Sequence, residues 1–232
     1  MKDEELLRYK RVQSIAKETI DFLKEKVTTG ITECEIADLA NNYMKKKGVN
    51  SFWYHGVGTL VLIGKRTTLS ISGRNYEPDK IRVRTNDLVT VDLSPKLNGY
   101  WGDLARTFII QNGRVVETPQ KNTVIEGIEF EDYLHNFFRK NIKPEMTFNE
   151  MYHLVNNQIK SKGFVNLDFK GNLGHTIEKE MNKRVYIEKD CMTKFSECDL
   201  FTFEPHIKKM NGQLGFKRED IYYFSKGKLQ VL

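Results

Sequence analysis

The sequence predicts an α+β protein of two related halves, with helices packed over a curved, mainly antiparallel sheet. Three observations predict it. A capped helical segment occurs twice, half a chain apart. Each half opens with a helix pair and continues in strand-like runs. Three connections between those runs carry Asn-Gly, the dipeptide that best supplies the φ > 0 needed at both residues of a tight hairpin turn.

The repeat comes first because it dictates architecture. Thr32 to Gly48 reads TECEIADLANNYMKKKG and Thr147 to Gly163 reads TFNEMYHLVNNQIKSKG, an offset of 115 residues. Thr, Glu, Leu, Asn-Asn, two Lys and Gly recur in the same places. The preceding helices match in pattern, with Phe22-Leu23 answering Phe137-Phe138. Without a Gly/Ser/Pro-rich linker, the chain reads as one domain over 1–232, built of repeat units of roughly 1–115 and 116–232.

In chain order, residues from about 4 to 27 carry a helical period through Leu7, Val12, Ile15, Ala16, Ile20 and Leu23. Thr32 and Glu35 form a capping box that opens a helix running to Lys47 and stopping at Gly48. Ser51 to Ile63 is strand-like, and a Lys/Arg/Thr loop follows. Leu88–Asp92 and Tyr100–Ile110 read as strands, and Asn112-Gly113 as a further turn. Asn122–Asn141 is helix, ended before Pro144. Thr147–Lys162 is the twin helix. Val185–Ile187, Asp199–Glu204 and Leu214–Phe224 complete the strands.

Composition narrows the class. Of 232 residues, 39% are apolar and 11% aromatic, enough for a full core rather than a disordered chain. The net charge of +6 comes from scattered lysines, not from clusters interleaved with aromatics, so the basic balance reads as a solvated surface and no nucleic acid is expected. The first residues are too charged for a signal peptide, and no apolar run of about 18 residues exists, so no membrane span is expected and the protein reads as cytoplasmic. Cys34, Cys191 and Cys198 are odd in number and lack CxxC spacing, so they read as incidental thiols.

The candidate site follows from the two hairpins. With Asn98-Gly99 as turn, Ser94 faces Asp103, and Asp92 lies diagonally across from Asp103, roughly 7–8 Å away on the same face. With Asn211-Gly212 as turn, Glu204 stands directly opposite Glu219. Opposed like charges destabilise a sheet unless cations neutralise them or protons are retained. His175, preceded by Gly174, lies between the hairpins in sequence. Two Asp, one His and two Glu form a mixed oxygen and nitrogen ligand set. It suits two divalent ions (Mn, Co, Fe or Zn) sharing bridging carboxylates.

The segments VTVDLSPKLNGYWGDLARTF, NLGHTIEKEM, FTFEP and GFKRED resemble the metal-site segments of the methionine aminopeptidase, Xaa-Pro peptidase and creatinase superfamily, closer to the Xaa-Pro branch. The resemblance implies the pita-bread fold, in which two pseudo-symmetric halves enclose the metals. It covers nearly the whole chain and includes no N-terminal creatinase-type domain. It implies that Asp92 chelates one ion, that Asp103 and Glu219 bridge both, and that His175 and Glu204 bind the second. It further implies a metal-bridging hydroxide as nucleophile, Glu204 as proton shuttle, and a small peptide or amide as substrate.

The chain departs from the family pattern at two family His positions. Ser72 stands where one His precedes Gly73, and Asn182 stands where a second His follows His175. Neither Ser nor Asn holds a proton near pH 7 as His can. Residue 206, where the pattern has Gly after Glu-Pro, is His206. Ser72, Asn182 and His206 are therefore the candidate substrate-binding residues, with His55 a further substitute. His135 and His153 read as surface or half-buried helix residues, and Trp53 and Trp101 as packing. The leading expectation is a dinuclear hydrolase that releases N-terminal residues from small peptides. Two alternatives stay open: a metal-dependent lyase, C–N hydrolase or oxidative enzyme on a small metabolite, and a non-catalytic pita-bread module that binds peptide or protein. A homodimer is compatible with the sequence.

Overall fold

A computed structural model describes residues 1–232. Each half begins with an antiparallel helix pair, α1 (Asp3–Lys26) and α2 (Glu33–Lys46) in the first, α3 (Asn122–Asn141) and α4 (Phe148–Ser161) in the second. Apolar residues at three- and four-residue spacing face inward: Val12, Ile15, Ala16, Ile20 and Leu23 on α1, and Phe148, Met151, Val155 and Ile159 on α4. The capping box predicted at Thr32 forms, and the twin helix has one as well. Glu35 accepts the Thr32 amide at 2.8 Å, and Glu150 accepts the Thr147 amide at 2.7 Å. Acidic residues in the first turn of α1 and lysines in its last turn complement the helix dipole.

The first half continues as β1 (Ser51–Phe52), β2 (Thr59–Ile63), β3 (Asp87–Leu93), β4 (Pro95–Leu97), β5 (Tyr100–Trp101), β6 (Leu104–Gln111) and β7 (Arg114–Val116). The second adds β8 (Phe164–Asn166), β9 (Phe201–Phe203), β10 (His206–Lys209), β11 (Gly215–Lys217), β12 (Asp220–Ser225) and β13 (Lys228–Val231). All ladder pairs are antiparallel, in the orders β2-β3-β6-β7, β1-β4-β5, β11-β10-β8 and β13-β12-β9. Two large cores lie between helices and sheet. The first half's is mostly aliphatic. The second half's is rich in rings, with Phe138 stacked on Phe203 at 4.1 Å.

Four predicted strands differ in the structure, each for a local reason. The run Ser51–Ile63 is broken between β1 and β2 by a turn in which His55 (φ 54°) and Gly56 (φ 79°) are left-handed. Tyr100–Ile110 is interrupted at Gly102-Asp103, where the Gln13 side chain binds the Asp103 amide at 2.9 Å and its carbonyl at 2.8 Å. Leu214–Phe224 is interrupted at Arg218-Glu219, because the Glu219 amide donates to Ala105 O at 3.0 Å and ties the two halves together. Val185–Ile187 makes a single bridge, Tyr186 to His175.

Candidate metal centre and active-site pocket

Both hairpins keep the register read from sequence. In the first, Asn98 (φ 51°) and Gly99 (φ 88°) are left-handed as a tight turn requires. Leu97 pairs with Tyr100 and Asp92 with Ala105, so Asp92 sits diagonally from Asp103. In the second, Phe203 pairs with Asp220 and His206 with Lys217, which brackets Glu204 against Glu219. The turn there is wider than predicted. Neither Asn211 nor Gly212 is left-handed, and the chain closes through Gly212 N–H to Lys209 O at 2.7 Å.

His175 is delivered by the bridge to Tyr186 and by Gly174. At φ 144°, a Cβ on Gly174 would lie 2.4 Å from Thr202 O, so the segment carrying His175 can approach β9 this closely only with glycine there. His175 Nδ1 lies 2.9 Å from Thr176 O. That contact assigns the proton to Nδ1 and leaves the Nε2 lone pair facing the site. Burial lowers the His175 pKa to about 4, so the ring is neutral at pH 7.

Nε2 faces Asp103 Oδ2 at 3.4 Å and Glu204 Oε1 at 3.6 Å. The Nε2 lone pair and Asp103 Oδ2 therefore face each other without a donor, while Glu204 Oε1 accepts from Thr202 Oγ1 at 3.2 Å. Donor atoms of Asp103, His175 and Glu219 all lie within 4.8 Å of one another, and these residues are at most 5% exposed. Asp103 Oδ2 and both Glu219 oxygens have no hydrogen-bond partner. Burial, then the neighbouring carboxylates, push Asp103 and Glu219 well above the usual carboxylate range. Buried, orphaned acceptors of this kind are what a divalent ion satisfies, so these residues fit a metal.

Asp92 and Glu204 share a different partner. Lys217 Nζ lies 2.7 Å from Asp92 Oδ2 and 3.0 Å from Glu204 Oε2. Burial pushes the Lys217 pKa down, but Asp92 and Glu204 outweigh it and hold the ammonium protonated. Burial would raise Glu204 as well. The opposing charge of Lys217 and the hydrogen bonds from Lys217 and Thr202 bring it below its ordinary value. Lys217 was legible in principle: two residues before Glu219 on one extended segment, it points to the same face.

These groups line a cavity of about 530 Å³. Trp53, Tyr54 and Tyr186 form one wall, with the Arg184 guanidinium 4.9–5.6 Å from their ring centres. Leu69, Ile71 and Phe169 stand at the mouth, where Ser70 Oγ donates to Asp168 Oδ1 at 3.2 Å and joins the halves. Asp168 rises to about 6, through burial and then the Glu204 charge. A larger groove of about 1070 Å³ between β6, α3 and the β10–β11 turn carries no converging carboxylates.

The substrate-binding candidates divide. Ser72 lines the pocket. Asn182 does not: it lies exposed in a short 3-10 turn at the outer tip of the His175–Tyr186 excursion, and Arg184 and Tyr186 face the pocket instead. His206 lines the pocket but its Nε2 is tied to Thr67 O at 2.7 Å, and burial lowers its pKa to about 4. His55 is absent from the pocket walls, carried away by its left-handed turn. His135, expected near the surface, is fully buried, bonded to Tyr222 Oη and Arg218 O. Trp53 and Trp101 do stack, at 4.7 Å, and Trp53 also forms pocket wall.

Residues 8–226 match the model of metallopeptidase family M24. The chain belongs to that family. Among M24 relatives, a methionine aminopeptidase of Clostridium acetobutylicum is 28% identical over 184 residues, 78% of this chain and 68% of the relative. An Xaa-Pro dipeptidase of Pyrococcus furiosus is 26% identical over 90% of this chain and 56% of its own. Among solved M24-like structures, an X-Pro aminopeptidase of Thermotoga maritima superposes with a TM-score of 0.82 at 20% identity, covering 100% of this chain and 61% of that one. A methionine aminopeptidase of Thermotoga maritima gives 0.79 at 16% identity, covering 97% of that chain. The pita-bread fold expected from the sequence is the fold observed. This chain spans about three-fifths of the X-Pro enzymes' length. No helix is long and apolar enough to cross a membrane.

Proposed function

We propose that this M24 chain is a metal-dependent peptidase that removes N-terminal residues from small peptides in the manner of Xaa-Pro aminopeptidases and dipeptidases. The observation that carries this is the neutral Nε2 of His175 facing the unpartnered Asp103 Oδ2 across 3.4 Å, in one cluster with the unpartnered Glu219 oxygens, in an aromatic-walled pocket.

Asp103, His175 and Glu219 would hold a metal ion (Mn, Co, Fe or Zn), with Asp92 and Glu204 beside them. When bound, such ions acidify water and polarise a carbonyl. Glu204 receives the proton and passes it to the leaving amine, being at once beside the metal ligands and held ionised by Lys217. Arg184 offers a fixed cation to the free carboxylate of a short peptide, and Trp53, Tyr54 and Tyr186 wall the side-chain space. Leu69 and Phe169 give the mouth an apolar rim.

The test is a panel of Met-first, Xaa-Pro and Pro-containing tripeptides with each metal supplied in turn. Cleavage by the wild type that Glu204→Ala abolishes is expected. A metal-loaded protein that cleaves no peptide overturns the peptidase reading. One observation favours a second reading. The pocket's histidines are confined to His175 and the tethered His206. A metal-dependent lyase or C–N hydrolase acting on a small metabolite needs no further His, and a metal-bound but peptide-inactive chain would point to it.

A further inference from the structure

We infer that this chain binds a single metal ion, at Asp103, His175 and Glu219, and that the ammonium of Lys217 takes the place of a second cation between Asp92 and Glu204. The inference rests on the metal-dependent reading above and specifies it.

Three observations converge. First, the fully buried atoms that lack partners lie at one end of the carboxylate cluster. Asp103 Oδ2 and both Glu219 oxygens are orphaned, and with His175 they form the group whose ligand atoms fall within 4.8 Å. At the other end Lys217 partners Asp92 Oδ2 and Glu204 Oε2, Thr202 partners Glu204 Oε1, and the one oxygen without a partner, Asp92 Oδ1, is not fully buried. Second, the Asp92 end already holds a positive charge. Lys217 Nζ is 2.7 Å from Asp92 Oδ2 and 3.0 Å from Glu204 Oε2, and its side chain is 15% exposed. Third, the lysine is fixed by the sheet. Its amide donates to Thr107 Oγ1 at 2.9 Å, its carbonyl accepts from that hydroxyl at 3.0 Å, and its Cα pairs with His206. A cation entering between Asp92 and Glu204 would have to displace an ammonium that its own strand aims there, and like charges in a buried site repel strongly.

A single ion is sufficient for hydrolysis in general, as three-ligand catalytic sites with one metal demonstrate. In this arrangement Lys217 is a positioning residue: it orients Glu204 and Asp92 and offsets their charge.

Manganese titration decides the matter. Wild-type protein stripped of metal and titrated with Mn(II) is expected to take up about one ion per chain, with the paramagnetic resonance signal of an isolated ion. Lys217→Met is expected to take up about two, with the exchange-coupled signal of a pair, and Lys217→Arg, which keeps the charge, about one. In the wild type, Asp92→Asn should leave affinity for the ion within about threefold, whereas Glu219→Gln should lower it more than about a hundredfold. Two coupled ions in the wild type overturn the inference and leave the metal-dependent reading intact. So does a Lys217→Met protein that still takes up one. If Lys217→Met fails to fold, the wild-type count and the Asp92→Asn comparison decide alone. No uptake by any variant overturns the metal-dependent reading itself.

Discussion

The two halves solve the same helix start differently. Thr32 and Thr147 make the same cap with nearly the same backbone, φ −97° and ψ 165° against φ −83° and ψ 158°. The next residue is Glu33 in one and Phe148 in the other. Glu33 is fully buried, accepting from Ile63 N and Arg66 Nε at 2.9 Å and from Asp79 N at 2.8 Å. Phe148 packs against Phe195 at 4.7 Å. A buried carboxylate thus anchors both ends of the segment carrying Leu69 to Ser72, which forms the pocket mouth. The ring only fills space. A second twin position shows the reverse: Ala16 sits silently in the first core, while Glu131 carries two orphaned oxygens into the second. Local pattern sets the helix, and the neighbouring loop decides which buried residue it can carry.

The comparison can be broken by experiment. Phe138 and Leu23 are twin core positions, both 0% exposed. Phe138→Ala should lower stability by about 4 kcal/mol and Leu23→Ala by about 3, measured by denaturant unfolding. A larger loss at Leu23 would contradict the view that stacked rings dominate the second core. Glu33→Ala should cost about 3 kcal/mol, because Arg66 and two amides lose their acceptor. Glu33→Phe, which imports the twin's residue, should not restore it, and amide exchange around Leu69–Ser72 should quicken. A neutral Glu33→Phe would make the two caps interchangeable.

Metal should separate the halves' carboxylates by pH. Asp103 and Glu219 titrate well above the usual range when folded. Their stabilising share is therefore complete below the ordinary carboxylate range and is lost as pH rises through the higher folded values. The metal-free protein should melt at progressively lower temperature as pH rises, and the metal-loaded protein should not. A metal-free melting temperature that climbs with pH would refute this. Glu131 has the same sign, through burial, but neither of its oxygens has a hydrogen-bond partner and no His or carboxylate cluster includes it. Glu131→Met should stabilise by about 1–2 kcal/mol at neutral pH, the smallest of these effects.

Much of this was readable in the sequence for physical reasons. The capping boxes, the repeat and the Asn98-Gly99 turn are local, and local chemistry is written in neighbouring residues. The pairings of Asp92 with Asp103 and of Glu204 with Glu219 were readable because strand parity and hairpin register fix which residues share a face. The unread features depend on packing between distant segments. His135 lies under Tyr222 and Arg218, which are far along the chain. Arg184 enters the pocket because the excursion after His175 folds back at Tyr186, leaving Asn182 outside. Lys217 stood in view in GFKRED, but its two acceptors lie on other strands.

The wider second turn has a consequence for how such a chain can vary in length. Because Glu204 and Glu219 keep their places although the chain closes through Lys209 and Gly212, the ladder acts as a ruler that starts at this carboxylate pair rather than at the turn. Residues inserted between Lys209 and Gly215 would lengthen a peripheral loop and leave the two carboxylates where they are. One residue inserted between Glu204 and Lys209 would put every later side chain of that strand on the opposite face. Insertions and deletions are therefore expected to accumulate at the tip of this hairpin and to be purged a few residues away.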